Sequence, residues 1–324
     1  MRAVVVDRWQ EPEELQVQEI PEPVAGPQTL GVEVRAAGCN FFDILMVQGR
    51  YQVKPPFPFV PGAEVAGVVR EVGDGVEGFA VGDRVLGSGG LGGFAERAVV
   101  PAAGAWRMPD AMSFEEGAAL PMIYPTSYAG LVFRADLQPG ENLLVHAAAG
   151  GVGIAAVQIG KALGARVIAT AGGADKLAVA RQNGADETID YREEDFVPRV
   201  KELTNGKGAD VIYDSVGGDV FDRSLKCIAW NGRLVVIGFA SGRIPEVKAN
   251  RILLKNIAVT GLHWGAHMVH DPARVAATFR ALFDLYEAGK IKPVIFKRYS
   301  LDDVSTALGA LASRKTYGKL IVAP

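Results

Sequence analysis

Asn142 to Thr170 reads NLLVHAAAGGVGIAAVQIGKALGARVIAT, and its hydrophobic period changes twice along the way. Leu143, Leu144 and Val145 form a short apolar strand, and Ala147 to Gly153 is a turn with almost no side chain. Residues 154–163 carry apolar side chains at helical spacing, and Val167 and Ile168 begin a second strand. That order is a βαβ unit with glycines at its first turn, the context a dinucleotide-binding turn requires. Gly150 and Gly151 let backbone approach a pyrophosphate, and Gly153 lets helix pack close to strand. The helix N-terminus then offers unpaired N–H groups and the positive end of its dipole to the phosphates. The spacing is Ala147-x-x-Gly150-x-x-Gly153 in place of the usual GxGxxG, with Ala156 at the close-packing position.

Downstream of this unit, strands and helices go on alternating. Helix 175–182, strand 187–189, a helix ending near Thr204, strand 211–213, helix 221–228 and strand 234–237 follow in turn. Residues 257–259 complete a six-stranded, doubly wound parallel sheet. Upstream, short strands around Val4 to Val6, Leu30 to Val34, Val65 to Val69 and Arg84 to Leu86 alternate with Pro and Gly punctuation, the texture of a compact barrel. Two helices interrupt it: one is capped by Asn40, the other by Ser113 with Glu116 three residues on. Amphipathic helices over 272–288 and 301–311 precede a last strand at 320–322. The economical architecture is an α/β domain, residues 125–260, inserted into a barrel domain made of residues 1–124 and 261–324, with the site expected in the cleft.

The gross numbers agree with a globular protein of 324 residues, 49% hydrophobic and 22% charged. A formal net charge of -3 gives no electrostatic case for nucleic acid or an anionic membrane. Two cysteines, Cys39 and Cys227, cannot build a disulfide framework, which points to a reducing cytoplasm. No segment is long and apolar enough to span a bilayer.

The second strand of the βαβ unit identifies the dinucleotide. A binder of NAD places an acid there for the ribose hydroxyls. Here the strand ends Ala169-Thr170-Ala171-Gly172-Gly173, and the first acid is Asp175. An uncharged end followed by Lys176 suits the extra phosphate of NADPH; the bland alternative for Lys176 is a solvated lysine in a first helical turn. Gly172 belongs to that turn, and Tyr191, after the third strand, is a second candidate at the adenosine end.

Six stretches together carry a family resemblance. They are Asn40-Phe-Phe-Asp43, Gly49-Arg-Tyr51, Pro61-Gly-Ala-Glu-Val-Ala-Gly67, Gly82-Asp-Arg-Val85, Ala149-Gly150-Gly151-Val152-Gly153 and Gly318-Lys-Leu320. In this order they resemble the zinc-independent quinone oxidoreductase (zeta-crystallin-like) branch of the medium-chain dehydrogenase/reductases. The resemblance implies a Rossmann domain inserted into a GroES-like barrel, NADPH as cofactor, and Ala149 to Gly153 as its phosphate turn. In the zinc alcohol dehydrogenase branch a metal-binding Cys falls at Asn40 and a metal-binding His at Ala63. Glu64 is retained, and two cysteines cannot supply a structural zinc site, so no metal is expected. His263, His267 and His270 would share one face of a helix, but Trp264-Gly265 makes a regular helix there doubtful.

The resemblance also implies roles. Tyr51 matches the proposed proton donor of related NADPH-dependent enoyl reductases, with Asn40 near enough to bind a substrate oxygen; packing is the alternative for the tyrosine. Gly238, Phe239 and Ser241 match a turn contacting the nicotinamide ribose. Thr126, His263 and Trp264 are expected at the nicotinamide end. The implied reaction is hydride transfer from NADPH to a quinone or an α,β-unsaturated carbonyl. The alternatives are an enoyl-thioester reductase and a non-enzymatic NADPH-binding structural or RNA-binding protein. Relatives dimerise through the nucleotide domain, and the candidate edge here is residues 256–260, which lacks an internal charge.

Overall fold

The structure is a computed structural model that describes residues 1–88 and 90–324. The chain forms two compact units, Met1–Met122 with Pro293–Pro324, and Ile123–Lys292.

In the contiguous unit the described residues form a six-stranded sheet, parallel throughout. From one edge its strands are Glu187–Asp190, Arg166–Ala171, Asn142–Val145, Ala209–Asp214, Ile228–Val236 and Ala258–Gly261. In order of sequence that is 3-2-1-4-5-6, the doubly wound topology, whose direction reverses between Asn142–Val145 and Ala209–Asp214. The central strands read as continuous apolar runs because both faces are covered; every residue of Ala209–Asp214 is buried. Helices Gly151–Ala162, Ala174–Gln182, Phe196–Leu203 and Gly218–Cys227 supply the crossovers.

The expected return to the barrel at residue 261 does not occur: residues 261–292 belong to the nucleotide unit. Helix Pro272–Glu287 buries Val275, Thr278, Phe279 and Leu282 and packs on helix Ile123–Tyr128. The far end is fixed by Gln158 in helix Gly151–Ala162. Its Nε2 donates to the Lys292 carbonyl at 2.9 Å, and its Oε1 accepts from the Lys292 N–H at 2.9 Å and the Tyr124 hydroxyl at 2.8 Å. Amphipathicity predicts that such a helix is buried but not which neighbour covers it. Helix Ala249–Lys255 has no buried residue, and Leu253 and Leu254 are exposed on it, so no amphipathic stripe marks it in the sequence.

The other unit is built on a mainly antiparallel sheet of seven strands among the described residues, with Thr29–Gly38 at its centre. That strand pairs with Glu64–Val72 on one side, and with Arg97–Pro101 and Lys319–Ala323 on the other. Leu30, Val32 and Val34 face the core at period two; then Ala36, Ala37 and Gly38 are all buried, since helix Phe114–Ala119 packs on this end. Strand Ile295–Ser300, absent from the sequence reading, pairs in parallel with Lys319–Ala323. Asn40 and Ser113 both stand at the N-cap positions expected of them, but only Ser113 caps through its side chain, since the Asn40 amide is engaged by Lys319 and Glu64. The Asn40 N–H donates to Asp43 Oδ2 at 2.7 Å, and Ser113 and Glu116 exchange reciprocal bonds at 2.9 and 3.2 Å. No helix among the described residues is long and apolar enough to cross a membrane.

Candidate active site

The glycine turn of the nucleotide unit leaves strand Asn142–Val145 through Ala147, a non-glycine residue at φ 50°. Helix Gly151–Ala162 begins at the glycines themselves, with Gly150 as its cap. The first intrahelical bond runs from the Ile154 N–H to the Gly150 carbonyl, so the N–H groups of Gly151, Val152 and Gly153 have no acceptor within the helix. A Cβ on Gly153 would collide with the Ala147 carbonyl and lie 2.8 Å from the Ala148 Cα. This glycine is needed so that the helix can start directly against the turn. Thr126 lies on helix Ile123–Tyr128. Its neighbour Ser127, which the sequence reading misses, donates to the Val152 carbonyl at 2.9 Å and pairs with the Tyr213 hydroxyl at 2.9 Å. Thr126 is thereby held beside the turn of Ala149 to Gly153.

At the end of strand Arg166–Ala171, Gly172 is crowded by side chains from across the sheet. A Cβ there would lie 2.7 Å from both the Tyr191 hydroxyl and the Arg192 Nε. The parallel register pairs Ala171 with Asp190, which carries residues 191 and 192 alongside the glycine turn. Asp190 is spent on structure: its carboxylate accepts the N–H groups of Gly173 and Arg192, each at 3.0 Å. Lys176 stands in the first turn of helix Ala174–Gln182, and burial together with the charge of Arg192 lowers its pKa. Arg192 and the Tyr191 phenol thus close on Gly172, with Lys176 near enough to feel the charge of Arg192, and an anion would relieve the repulsion of the two cations. Arg192 is the member the sequence reading misses; the signal was its place directly after Tyr191.

The turn of Gly238, Phe239 and Ser241 follows strand Ile228–Val236 and lies on the turn after Ala209–Asp214. The Ala240 and Ser241 N–H groups donate to the carbonyls of Ser215 and Val216 at 3.1 and 2.9 Å. Phe239 is exposed. His263 is exposed as well, but Trp264 is buried, its ring stacked on His267 at 5.2 Å. His263 is the N-cap of a 3-10 turn, Trp264–Ala266, and only His267 and His270 lie on a helix, the four-residue His267–His270. No cluster of three or more His, Cys, Asp or Glu able to hold a metal occurs among the described residues.

In the barrel unit a polar cluster surrounds Asn40. The Lys319 ammonium, 3% exposed, donates to the Cys39 carbonyl at 2.8 Å, to Asn40 Oδ1 at 2.9 Å and to Glu64 Oε1. Asn40 Nδ2 donates to the same Glu64 oxygen at 2.8 Å, and Glu64 Oε2 accepts the Met122 N–H at 3.0 Å. Gly38 makes room, since a Cβ there would run into the Glu64 carboxylate. Asp43 lies just beneath, fully buried. Desolvation raises its pKa to about 7 against the opposing Asn40 N–H and Lys319 charge, and its Oδ1 has no hydrogen-bond partner among the described residues. Zinc does not fit this donor set: the acid retained from the zinc branch is engaged by an ammonium, and the flanking positions are Asn40 and Ala63. Tyr51 packs on Phe42, from the helix that Asn40 caps, with ring centroids 5.5 Å apart.

Residues 26–110 match the alcohol dehydrogenase GroES-like domain family, and residues 151–285 match the zinc-binding dehydrogenase family. The quinone oxidoreductase-like protein 2 homolog of Nematostella vectensis is 46% identical over 300 residues, 92% of this chain and 82% of that protein. The chain belongs to the quinone oxidoreductases of the medium-chain dehydrogenase/reductase superfamily. The Pseudomonas aeruginosa quinone oxidoreductase is 39% identical over 97% of this chain and 96% of its own length. Among solved structures, Escherichia coli quinone oxidoreductase, crystallised with NADPH, aligns over 100% of both chains with a TM-score of 0.93 and 36% identity. Membership in this family accounts for both units, a GroES-like domain and a Rossmann domain.

Proposed function

We propose that this chain is a zinc-independent, NADPH-dependent reductase of quinones or α,β-unsaturated carbonyls. The observation that carries the reading is the group around Gly172. Lys176, Arg192 and Tyr191 suit a phosphate on the adenosine ribose, and no acid stands at the strand end to receive ribose hydroxyls. The NADPH in the Escherichia coli relative agrees with it. When bound, the cofactor supplies a hydride. The N–H groups of Gly151, Val152 and Gly153 receive its pyrophosphate at the helix N-terminus. The turn of Gly238, Phe239 and Ser241 takes the nicotinamide ribose, and Thr126 and His263 border the nicotinamide. Trp264 supports that border from within.

On the acceptor, the oxygen gains negative charge as the reaction proceeds. Asn40 donates a hydrogen bond to it, and the Tyr51 hydroxyl delivers the proton. The assembly in solution is a homodimer formed through the sheet edge Ala258–Gly261.

Fluorescence titration with NADPH and NADH tests the cofactor, and NADPH consumption over quinones, enones and enoyl thioesters tests the acceptor. NADPH should bind more tightly than NADH and be consumed with quinones or enones. Equal affinities would remove the cofactor assignment, consumption only with thioesters would favour an enoyl-thioester reductase, and binding without turnover a non-enzymatic role.

A further inference from the structure

The buried ion pair beside Asn40 has a geometry that stability alone does not require. Lys319 and Glu64 are 3% and 0% exposed. Removing two charges from water costs about as much as their attraction returns, and an apolar pair of equal volume often serves the fold as well or better. What the pair does impose is polarity. A carboxamide has nearly the same shape either way round, so its sense is set by its partners. An ammonium can only donate and a carboxylate can only accept. Lys319 Nζ lies 2.9 Å from Asn40 Oδ1, and Glu64 Oε1 lies 2.8 Å from Asn40 Nδ2. The reverse orientation would set NH2 against ammonium and carbonyl against carboxylate, breaking two charge-assisted bonds at once.

We propose that Lys319 and Glu64 are positioning residues that lock the Asn40 carboxamide with an N–H turned to the acceptor oxygen, the task a metal ion performs in the zinc branch. The proposal rests on the reading of Asn40 as the donor to that oxygen. An amide NH2 carries two hydrogens, and Glu64 takes one. The second remains for substrate on a side chain that is only half-buried. Lys319 also draws charge from the amide oxygen, which makes the remaining N–H a stronger donor through cooperative polarisation. The backbone is held in the same grip, since Lys319 bonds the Cys39 carbonyl and Asp43 accepts the Asn40 N–H.

The test compares Asn40→Ala, the paired variant Glu64→Gln/Lys319→Met and the triple combination. Pairing the last two substitutions avoids leaving one buried charge alone, which Lys319→Met by itself would do. Turnover of an enone is normalised to NADPH-binding sites, so that partial unfolding does not count. A second readout without turnover is the dissociation constant of p-nitrophenolate, an oxyanion mimic followed by absorbance. Asn40→Ala should lower kcat about 100-fold, and the paired variant about tenfold or more. Both should weaken p-nitrophenolate binding about tenfold, the size of one lost hydrogen bond to a charged group. The triple variant should be no worse than Asn40→Ala, because Lys319 and Glu64 act only through Asn40. Full activity and phenolate binding in Asn40→Ala would overturn the donor reading and the inference with it. Losses in Asn40→Ala beside a folded, fully active paired variant would overturn the inference alone. Losses that multiply in the triple variant would mean that Lys319 acts on its own, which also overturns it.

Discussion

Burial lowers the pKa of Lys176, and the nearby charge of Arg192 lowers it further. On the proposed reading a phosphate with two negative charges relieves that repulsion, so each cation would add to NADPH affinity and neither to NADH. Replacing either with alanine should weaken NADPH by about 1.5–3 kcal/mol, roughly ten- to a hundredfold. NADH affinity should change little, and fluorescence titration of both cofactors reads the contrast. Tyr51 makes a different prediction. As the proton donor to an enolate, its change to phenylalanine should lower kcat for an enone by about 10²–10⁴-fold with NADPH affinity preserved. A quinone should be spared, because its reduced anion persists long enough to take a proton from water. Equal losses for both acceptors would assign Tyr51 to substrate binding, and no loss for either would assign it to packing against Phe42. His146 behaves as a core residue. Its ring sits between Thr170 Oγ1 at 3.0 Å and Ser224 Oγ at 2.8 Å, and burial lowers its pKa from 6.5 to about 3. Between those values the unfolded chain binds a proton that the fold excludes, so stability is lost as pH falls from about 6.5 toward 3. In urea the unfolding midpoint of the nucleotide unit should drop from pH 7 to pH 5, and less so in His146→Gln. Trp230 and Trp264 report that unit once Trp9 and Trp106 are changed to phenylalanine.

At the scale of elements, two glycines that look alike in sequence differ in what they avoid. The Cβ of Gly153→Ala would meet backbone at Ala147 and Ala148, which cannot yield without moving the turn. It should cost about 1–3 kcal/mol of stability. The Cβ of Gly172→Ala would meet the ends of Tyr191 and Arg192, which can swing away, so stability should hold while NADPH affinity falls. Urea unfolding and cofactor titration separate the two. The same elements mark how far the sequence could be read. The βαβ unit and the six-stranded parallel sheet were legible because period and glycine turns are local signals. Gly172 and Tyr191 could be placed for the same reason, each following a strand end, and Lys176 in the first turn of the helix after it. The Asn40–Glu64–Lys319 cluster was not legible as a network, because its members are separated by 24 to 279 residues and meet only through sheet pairing. Helix Ala249–Lys255 escaped notice because its leucines face outward and leave no buried stripe.

At the scale of the whole molecule, the sheet edge Ala258–Gly261 and the exposed Leu253 and Leu254 lie in one short segment of the nucleotide unit. An uncharged edge strand beside exposed leucines is an aggregation hazard unless another strand pairs with it. Light scattering at micromolar concentration should give the mass of a dimer. Ala258→Lys should reduce it to a monomer, and a wild-type monomer would reject the assignment.

The cluster around Asn40 has one more consequence, which concerns synthesis on the ribosome. Lys319 is the counter-ion of Glu64, yet it is translated 255 residues later. The nucleotide unit is one uninterrupted stretch, whereas the sheet bearing Asn40 lacks two of its strands until residues 293–324 have emerged. The interior segment therefore has all it needs to fold first, and the segment made first waits longest with an acid whose partner does not yet exist. Chains arrested once residue 292 has cleared the exit tunnel should yield a protease-resistant fragment near 170 residues long. Resistance of residues 1–122 should appear only after Lys319 has left the exit tunnel.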